Sequence, residues 1–283
     1  MGHCGTTFAG NRHFQPVAWM STDRCVEHRR CDRDMNVATT VSVVPHWPAP
    51  SHVRALITER SASQPEDPYN GFNLGNHVGD NPGRVVAHRL SLVQQLRLVG
   101  QPRWLTQVHG ARVCELDGPG EEPVADGSFT TRRDIACAVL SADCAPVFLS
   151  DLLGSFVGLL HAGWRGVIAG VIEQGIARAP AKPQDIIAWV GPSISQRAFE
   201  VGNEVREQFL AADPVDQKYF ARKGDRYMAD LPGLVLARLR RCEIAFAAAS
   251  NCCTYSDSGR WFSHRRQGRC GRMASLIWLS RAL

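Results

Sequence analysis

Two apolar runs, PVFLS at 146–150 and SFVGL at 155–159, flank the tetrapeptide DLLG at 151–154, and this segment constrains the chain more than any other. Asp in the first and Gly in the fourth position suit a type I turn, so the runs should pair as an antiparallel hairpin. The register that such a turn sets places Cys144 opposite His161 at the open end, sulfur beside imidazole. A slip of one residue would turn one of them to the other face.

Around the hairpin the sequence reads as short strands and helices by turns. VRALIT, RWLTQV, RVCEL, IACAVLSA and IIAWVGP are strand candidates, and GVIAGVIEQGIARA, GNEVREQFLAA and LPGLVLARLRRC are helix candidates. The clearest helix is NPGRVVAHRLSLVQQLRLVG, with Asn81 as cap, Pro82 in the first turn and Gly100 as the stop. Strands gather in the middle and helices interrupt them irregularly, which favours an α+β or layered α/β domain with mixed sheets over a strict βαβ repeat.

The 283 residues, 44% hydrophobic and 21% charged, are enough for one large domain. Residues 1–44 show no period and precede the Pro-rich step PHWPAP, so a disordered extension is expected there, with Met35 as an alternative start and a single catalytic domain over 45–283. The opening MGHCGT fits the myristoylation pattern with Cys4 beside it, a match short enough to arise by chance. No long apolar run or secretory leader is visible, so a cytoplasmic protein without a membrane anchor is expected. Ten cysteines without a CxxC pair read as reduced thiols. A net charge of +5, with acidic and basic residues interleaved, suggests small-molecule chemistry and no nucleic acid, in a monomer or homodimer.

Three polar side chains interrupt apolar strand ends: His109 after LTQV, Cys144 after AVLSAD and His161 after VGLL. Thiolate and imidazole are ligands that zinc prefers, and three protein ligands leave a fourth tetrahedral position open for catalysis. Taken singly, a buried Cys is more often inert packing and a strand-end His a satisfied hydrogen-bonder. Asp143 is a candidate general base or partner for a ligand histidine, and equally a turn carboxylate. Arg165, in HAGWRGVIAG, borders a helix start and could hold phosphate, unless the glycines there only permit a tight turn. Among the arginines of SHRRQGRCGR, Arg265 is kept as an anion contact and the others read as solvated.

TQVHGARV, ADGSFT, LSADCAPVFLSD, LLHAGWRGVIAGVIE, VGPSIS with FEVGNEV, and CTYSD with SHRRQGRCGRMASLIWL resemble, in order, the motifs of one family. That YfiH-like family is described variously as multicopper polyphenol oxidoreductase (laccase), purine nucleoside phosphorylase and peptidoglycan-editing factor. The resemblance runs from about His46 to the end and includes FNLGNHVGDNP at 72–82. It implies a layered α/β/β/α sandwich similar to the catalytic domain of cytotoxic necrotizing factors, and a metal held by His109, Cys144 and His161. It further implies phosphorolysis of adenosine, inosine, guanosine and methylthioadenosine, and deamination of adenosine. In the first, Arg165 positions phosphate against C1′; in the second, water activated at the metal attacks C6 with Asp143 shuttling the proton. Asn73 and His77 fall in the N-terminal motif and are candidates for the purine or ribose pocket, or for a hydrogen-bonded turn. The chain departs from the family pattern in SHRRQGRCG and at Arg197 and Ala198, which leaves the substrate contacts there in doubt.

Three rival readings remain. A copper laccase needs several copper centres with HxH spacing, and the ten histidines here are scattered with no HxH. A metal-independent hydrolase or amidase acting on cell-wall precursors would use Cys144 as nucleophile and His161 as base. A closed structural zinc site needs a fourth Cys or His, and none stands in an obvious position.

Overall fold

The computed structural model describes residues 42–60, 67–118 and 120–280. Most of the expected extension, the Met35 start and the acylation pattern lie outside the described residues. In chain order the elements are β1 (Ser42–Val43), β2 (Val53–Thr58), α1 (Pro82–Leu96), β3 (Val113–Glu115), β4 (Gly127–Thr130), β5 (Ala136–Ser141), β6 (Ala145–Asp151), β7 (Val157–Ala162), α2 (Trp164–Ile168) and α3 (Val171–Arg178). They continue with β8 (Ile186–Val190), β9 (Glu200–Val201), α4 (Asn203–Ala212), β10 (Phe220–Lys223), β11 (Arg226–Ala229), α5 (Leu231–Arg241), β12 (Phe246–Ala249), α6 (His264–Gln267) and β13 (Met273–Leu279).

Two sheets stack face to face. One is antiparallel, in the order β1-β2-β13-β5; the other is mixed, in the order β12-β8-β6-β7-β4-β3, parallel only at its two ends. A small sheet, β10-β11-β9, stands apart. The central strands are covered on both faces, which is why they read as unbroken apolar runs. Phe148 points between the sheets and meets Trp189 at 5.6 Å between ring centroids. Its neighbours Val147 and Leu149 face the opposite way, into a core shared with Ile172 and Leu234 of α3 and α5. On the outer face of the antiparallel sheet, Leu56, Leu140 and Leu276 pack on Leu92 of α1. The layers are therefore α1, sheet, sheet, and the remaining long helices, an α/β/β/α sandwich.

Several local expectations need correction. The hairpin forms, and Gly154 N–H donates to Asp151 O at 3.0 Å as a type I turn requires. Its register is two residues longer, however: Pro146 faces His161 and Ala145 faces Ala162. The cause is in the turn, where Gly154 takes a left-handed φ of 64° and Ser155 joins the loop, its N–H and hydroxyl both bonded to the Asp151 carboxylate at 2.6 Å. A shift of two preserves the face of every side chain, so Cys144 now stands opposite Gly163 and diagonal to His161 on the same side.

α1 is capped by Asn81 as expected but ends at Arg97, before Gly100. There a left-handed φ of 50° lets the amides of Arg97 and Leu98 close on Gln94 O and Val93 O. The long helix expected from GVIAGVIEQGIARA breaks at Gly170, φ 89°, into α2 and α3. RWLTQV makes only isolated bridges at Arg103 and Thr106. Ser42–Val43, inside the expected extension, pair with Thr58 and Ile57. Among the described residues six cysteines carry free thiols, as expected, while Cys252 is disulfide-bonded, against the expectation of reduced thiols throughout. Among the described residues no helix is long and apolar enough to cross a membrane.

Removing the Phe148 ring from between the sheets should lower the unfolding free energy by about 3–5 kcal/mol, read from urea denaturation of Phe148→Ala. A loss below about 1 kcal/mol would mean that the inter-sheet layer collapses around the gap and is not the rigid core described.

Candidate metal centre

Asp126, fully buried at the start of β4, organises the site. Its carboxylate accepts three consecutive amides, from Val108 at 3.2 Å, His109 at 2.9 Å and Gly110 at 2.7 Å. Consecutive N–H groups converge in this way only on a curled backbone, and His109 supplies the curl with a left-handed φ of 60°. The same carboxylate accepts from His161 Nδ1 at 2.9 Å. Nδ1 thus keeps its proton, and Nε2 is the nitrogen that can be deprotonated and offered to a metal, the arrangement found for metal-ligating histidines. Burial opposes charge on Asp126, but the bonds from His161, Gly110 and Val108 outweigh it and hold the carboxyl below its ordinary range.

His109, Cys144 and His161 come together here, their ligand atoms no further than 4.8 Å from one another. The two imidazoles meet edge to face, with centroids 4.8 Å apart. Tetrahedral zinc would want ligand atoms roughly 3.5 Å apart, so small side-chain rotations close the set around an ion. Gly163, opposite Cys144, is required by contact: a Cβ there would stand 2.8 Å from Sγ. The donor set and the space kept clear beside the sulfur both fit a metal with one open position.

Burial alone would raise the Cys144 thiol, but the charge of His161 and hydrogen bonds from His109 and His161 bring it down to about 6. Burial would likewise lower His161, and the Cys144 thiolate with the Asp126 carboxylate raises it to about 9. At neutral pH the metal-free pair is therefore a thiolate and an imidazolium, and a bound cation would take the place of the Nε2 proton.

The three ligands lie in the wall of a cavity of about 440 Å³ that is also lined by His77, Arg165, Arg265 and Arg272. Arg165 is exposed and lies over the Trp164 ring at 4.3 Å. Arg265 bonds Glu200 O at 2.7 Å and lies 5.2 Å over Phe199. Desolvation at the wall, then the charges of Arg272 and Arg89, lower the His77 imidazole, which stays neutral.

Asp143 lines the cavity, but its oxygens are committed to Thr254 Oγ1 at 2.6 Å, Ser263 Oγ at 3.0 Å and Arg265 N at 2.7 Å. It makes no bond to a ligand histidine; it ties the strand end bearing Cys144 to the turn bearing Arg265. Asn73 is fully buried and does not line the cavity. Its Oδ1 accepts from Gly75 N at 2.9 Å and Arg272 N at 2.8 Å, and its Nδ2 donates to Asp80 at 2.8 Å. Its contribution is to hold the backbone of Arg272, a cavity residue that sequence reading took for solvated. Asp126 was also missed, although it stands inside ADGSFT, because a carboxylate before a strand carries no period and declares itself only through the amides it gathers.

Asp126→Asn should weaken metal binding about 10- to 100-fold in competition with a chromophoric chelator, at unchanged circular dichroism; unchanged affinity would contradict the orienting role. In metal-stripped protein the thiolate exists above the depressed pKa, so alkylation of Cys144 by iodoacetamide should rise through pH about 6. A midpoint near the ordinary thiol value of about 8.5 would refute the ion pair.

A protein of Shigella flexneri named purine nucleoside phosphorylase YfiH is 42% identical over 238 residues, covering 84% of this chain and 98% of its own. A purine nucleoside phosphorylase of Pseudomonas aeruginosa is 40% identical over 239 residues, with 84% and 98% covered. The crystal structure of Neisseria meningitidis protein NMB0706 superposes with a TM-score of 0.79 at 39% identity, covering 85% of this chain and 99% of that one. Residues 54–280, which include every residue of the site above, match the model of one family. This chain belongs to that family, the multi-copper polyphenol oxidoreductase laccase family, whose similar relatives in Shigella and Pseudomonas are named purine nucleoside phosphorylases.

Proposed function

We propose that the protein is a zinc-dependent purine nucleoside phosphorylase acting on adenosine, inosine, guanosine and methylthioadenosine, with adenosine deamination as a secondary reaction at the same centre. One observation carries the reading: two imidazoles and a thiolate converge in the wall of a cavity that also presents Arg165, Arg265 and Arg272. At about 440 Å³ the cavity is within the usual size of small-molecule sites. The names of the relatives at about 40% identity support the substrate class.

A bound zinc ion supplies Lewis acidity at an open coordination position. The residues of the chain do the rest. Asp126 fixes the His161 tautomer, and Gly163 leaves room for the sulfur. The arginines neutralise phosphate and hold it against C1′ while the purine departs, a role to which guanidinium forks are suited. Neutral His77 offers one donor and one acceptor to the nucleoside. Deamination asks for a proton shuttle, and Asp143, the acidic residue in the wall, already accepts three hydrogen bonds. In phosphorolysis the proton that the departing purine takes up can come from the hydrogen phosphate itself, so no separate shuttle is required, and this is the principal reaction.

Two imidazoles and a cysteine are also a copper set, with a weak axial methionine. No methionine lines the cavity, and among the described residues this is the one cluster of three or more His, Cys, Asp and Glu side chains able to share an ion, so none of the described residues forms a laccase's second copper centre. The thiolate–imidazolium pair favours one other reading, a metal-independent hydrolase with Cys144 as nucleophile.

Metal-quantified protein incubated with adenosine should release adenine and ribose 1-phosphate only when phosphate is added. Dialysis against a chelator should abolish the reaction and zinc restore it. Absence of turnover of any nucleoside would refute the substrate class, and hydrolytic activity surviving chelation would favour the cysteine mechanism.

A further inference from the structure

A second cavity, of about 270 Å³, lies at the far end of the antiparallel sheet. Strand β5 joins the two: Ala136 borders this cavity and Ser141 borders the metal centre, about 17 Å apart at roughly 3.4 Å per residue. The floor is one row across the sheet. Trp278 of β13 is flanked by Arg54 of β2 and Ala136 of β5, and all three point to the face that carries α1. The last turn of α1 overhangs the row with Leu96 and the left-handed Arg97, and Arg133 closes the side.

The wall chemistry is specific. Three guanidinium groups, from Arg54, Arg97 and Arg133, border one space. The single acidic residue in the wall, Asp134, is bonded by Arg132 outside it, at 2.7 Å and 3.0 Å. Arg133 is anchored on Ser280 O at 2.5 Å, while Arg54 has no hydrogen-bond or ion-pair partner among the described residues. The half-buried Trp278 ring lies between these cations with Leu96 and Ile135 beside it. The carbonyl end of the α1 dipole works against an anion here, but its last carbonyls are already bonded by Arg97 and Leu98, and the net wall charge is positive. Guanidinium forks match phosphate oxygens, and an aromatic floor with aliphatic edges matches a flat apolar body.

We propose that this cavity is a binding site for a small phosphate monoester carrying a planar ring, separate from the metal centre. Calorimetric titration of the metal-loaded protein with phenyl phosphate tests it. Binding should weaken at least about tenfold in Arg54→Ala/Arg97→Ala, two exposed positions, while adenosine phosphorolysis is unchanged. Trp278→Ala should weaken phenyl phosphate but not inorganic phosphate. No binding of phenyl phosphate to the unaltered protein, or equal affinity in the double variant, would overturn the site. Inorganic phosphate binding as tightly as phenyl phosphate, with a heat that the Arg54→Ala/Arg97→Ala variant loses, would overturn the assignment of a ring-bearing ester; a phosphate heat that survives in that variant belongs to the metal-centre cavity. The titration does not depend on turnover, so its outcome is independent of whether the nucleoside reading holds.

Discussion

A buried negative charge must be surrounded by donors, and at Asp126 that requirement shapes the metal centre. Three amides from the loop 108–110 and one imidazole proton meet the carboxylate, so the loop is curled, His109 is turned toward the site and His161 presents Nε2. His109 lies on a loop with no strand to fix it, and the tautomer of His161 is set by the carboxylate and not by β7. The cost of burying an ion is offset by four hydrogen bonds, and the same four bonds position two ligands.

The third ligand depends on the hairpin. Its two strands lie in the middle of the six-stranded sheet, buried between the second sheet and the helices, so their register is specified by packing on both faces. Cys144 leaves this rigid hairpin through Asp143, whose left-handed φ of 92° is held by bonds to Thr254, Ser263 and the Arg265 amide. Cys144 and an arginine of the cavity are thereby parts of one hydrogen-bonded assembly.

His109, Cys144 and His161 were legible as a group because each interrupts an apolar run, and the hairpin brings two of them to one face although its register was read two residues short; the run before His109 forms no strand, and that residue reaches the group from a loop. Period two survives a two-residue error, so Cys144 and His161 share a face in the observed register as in the expected one. Strand β13 escaped notice because MASLIWL is buried on both faces and shows no alternation. Asn73 looked like a pocket residue because its motif is close to His77, yet its amide is spent within the loop and behind Arg272. Residues that work through hydrogen bonds, such as Asp126 and Asp143, leave no periodic trace.

The claim on which the account rests is that one ion is shared by His109, Cys144 and His161 with a fourth position open. X-ray absorption at the zinc edge of the metal-loaded protein measures this directly. The account predicts one sulfur near 2.3 Å and three lighter scatterers near 2.0–2.1 Å, two of them imidazole, with the sulfur lost in Cys144→Ser. A first shell without sulfur, or one with two or more sulfurs, would contradict it.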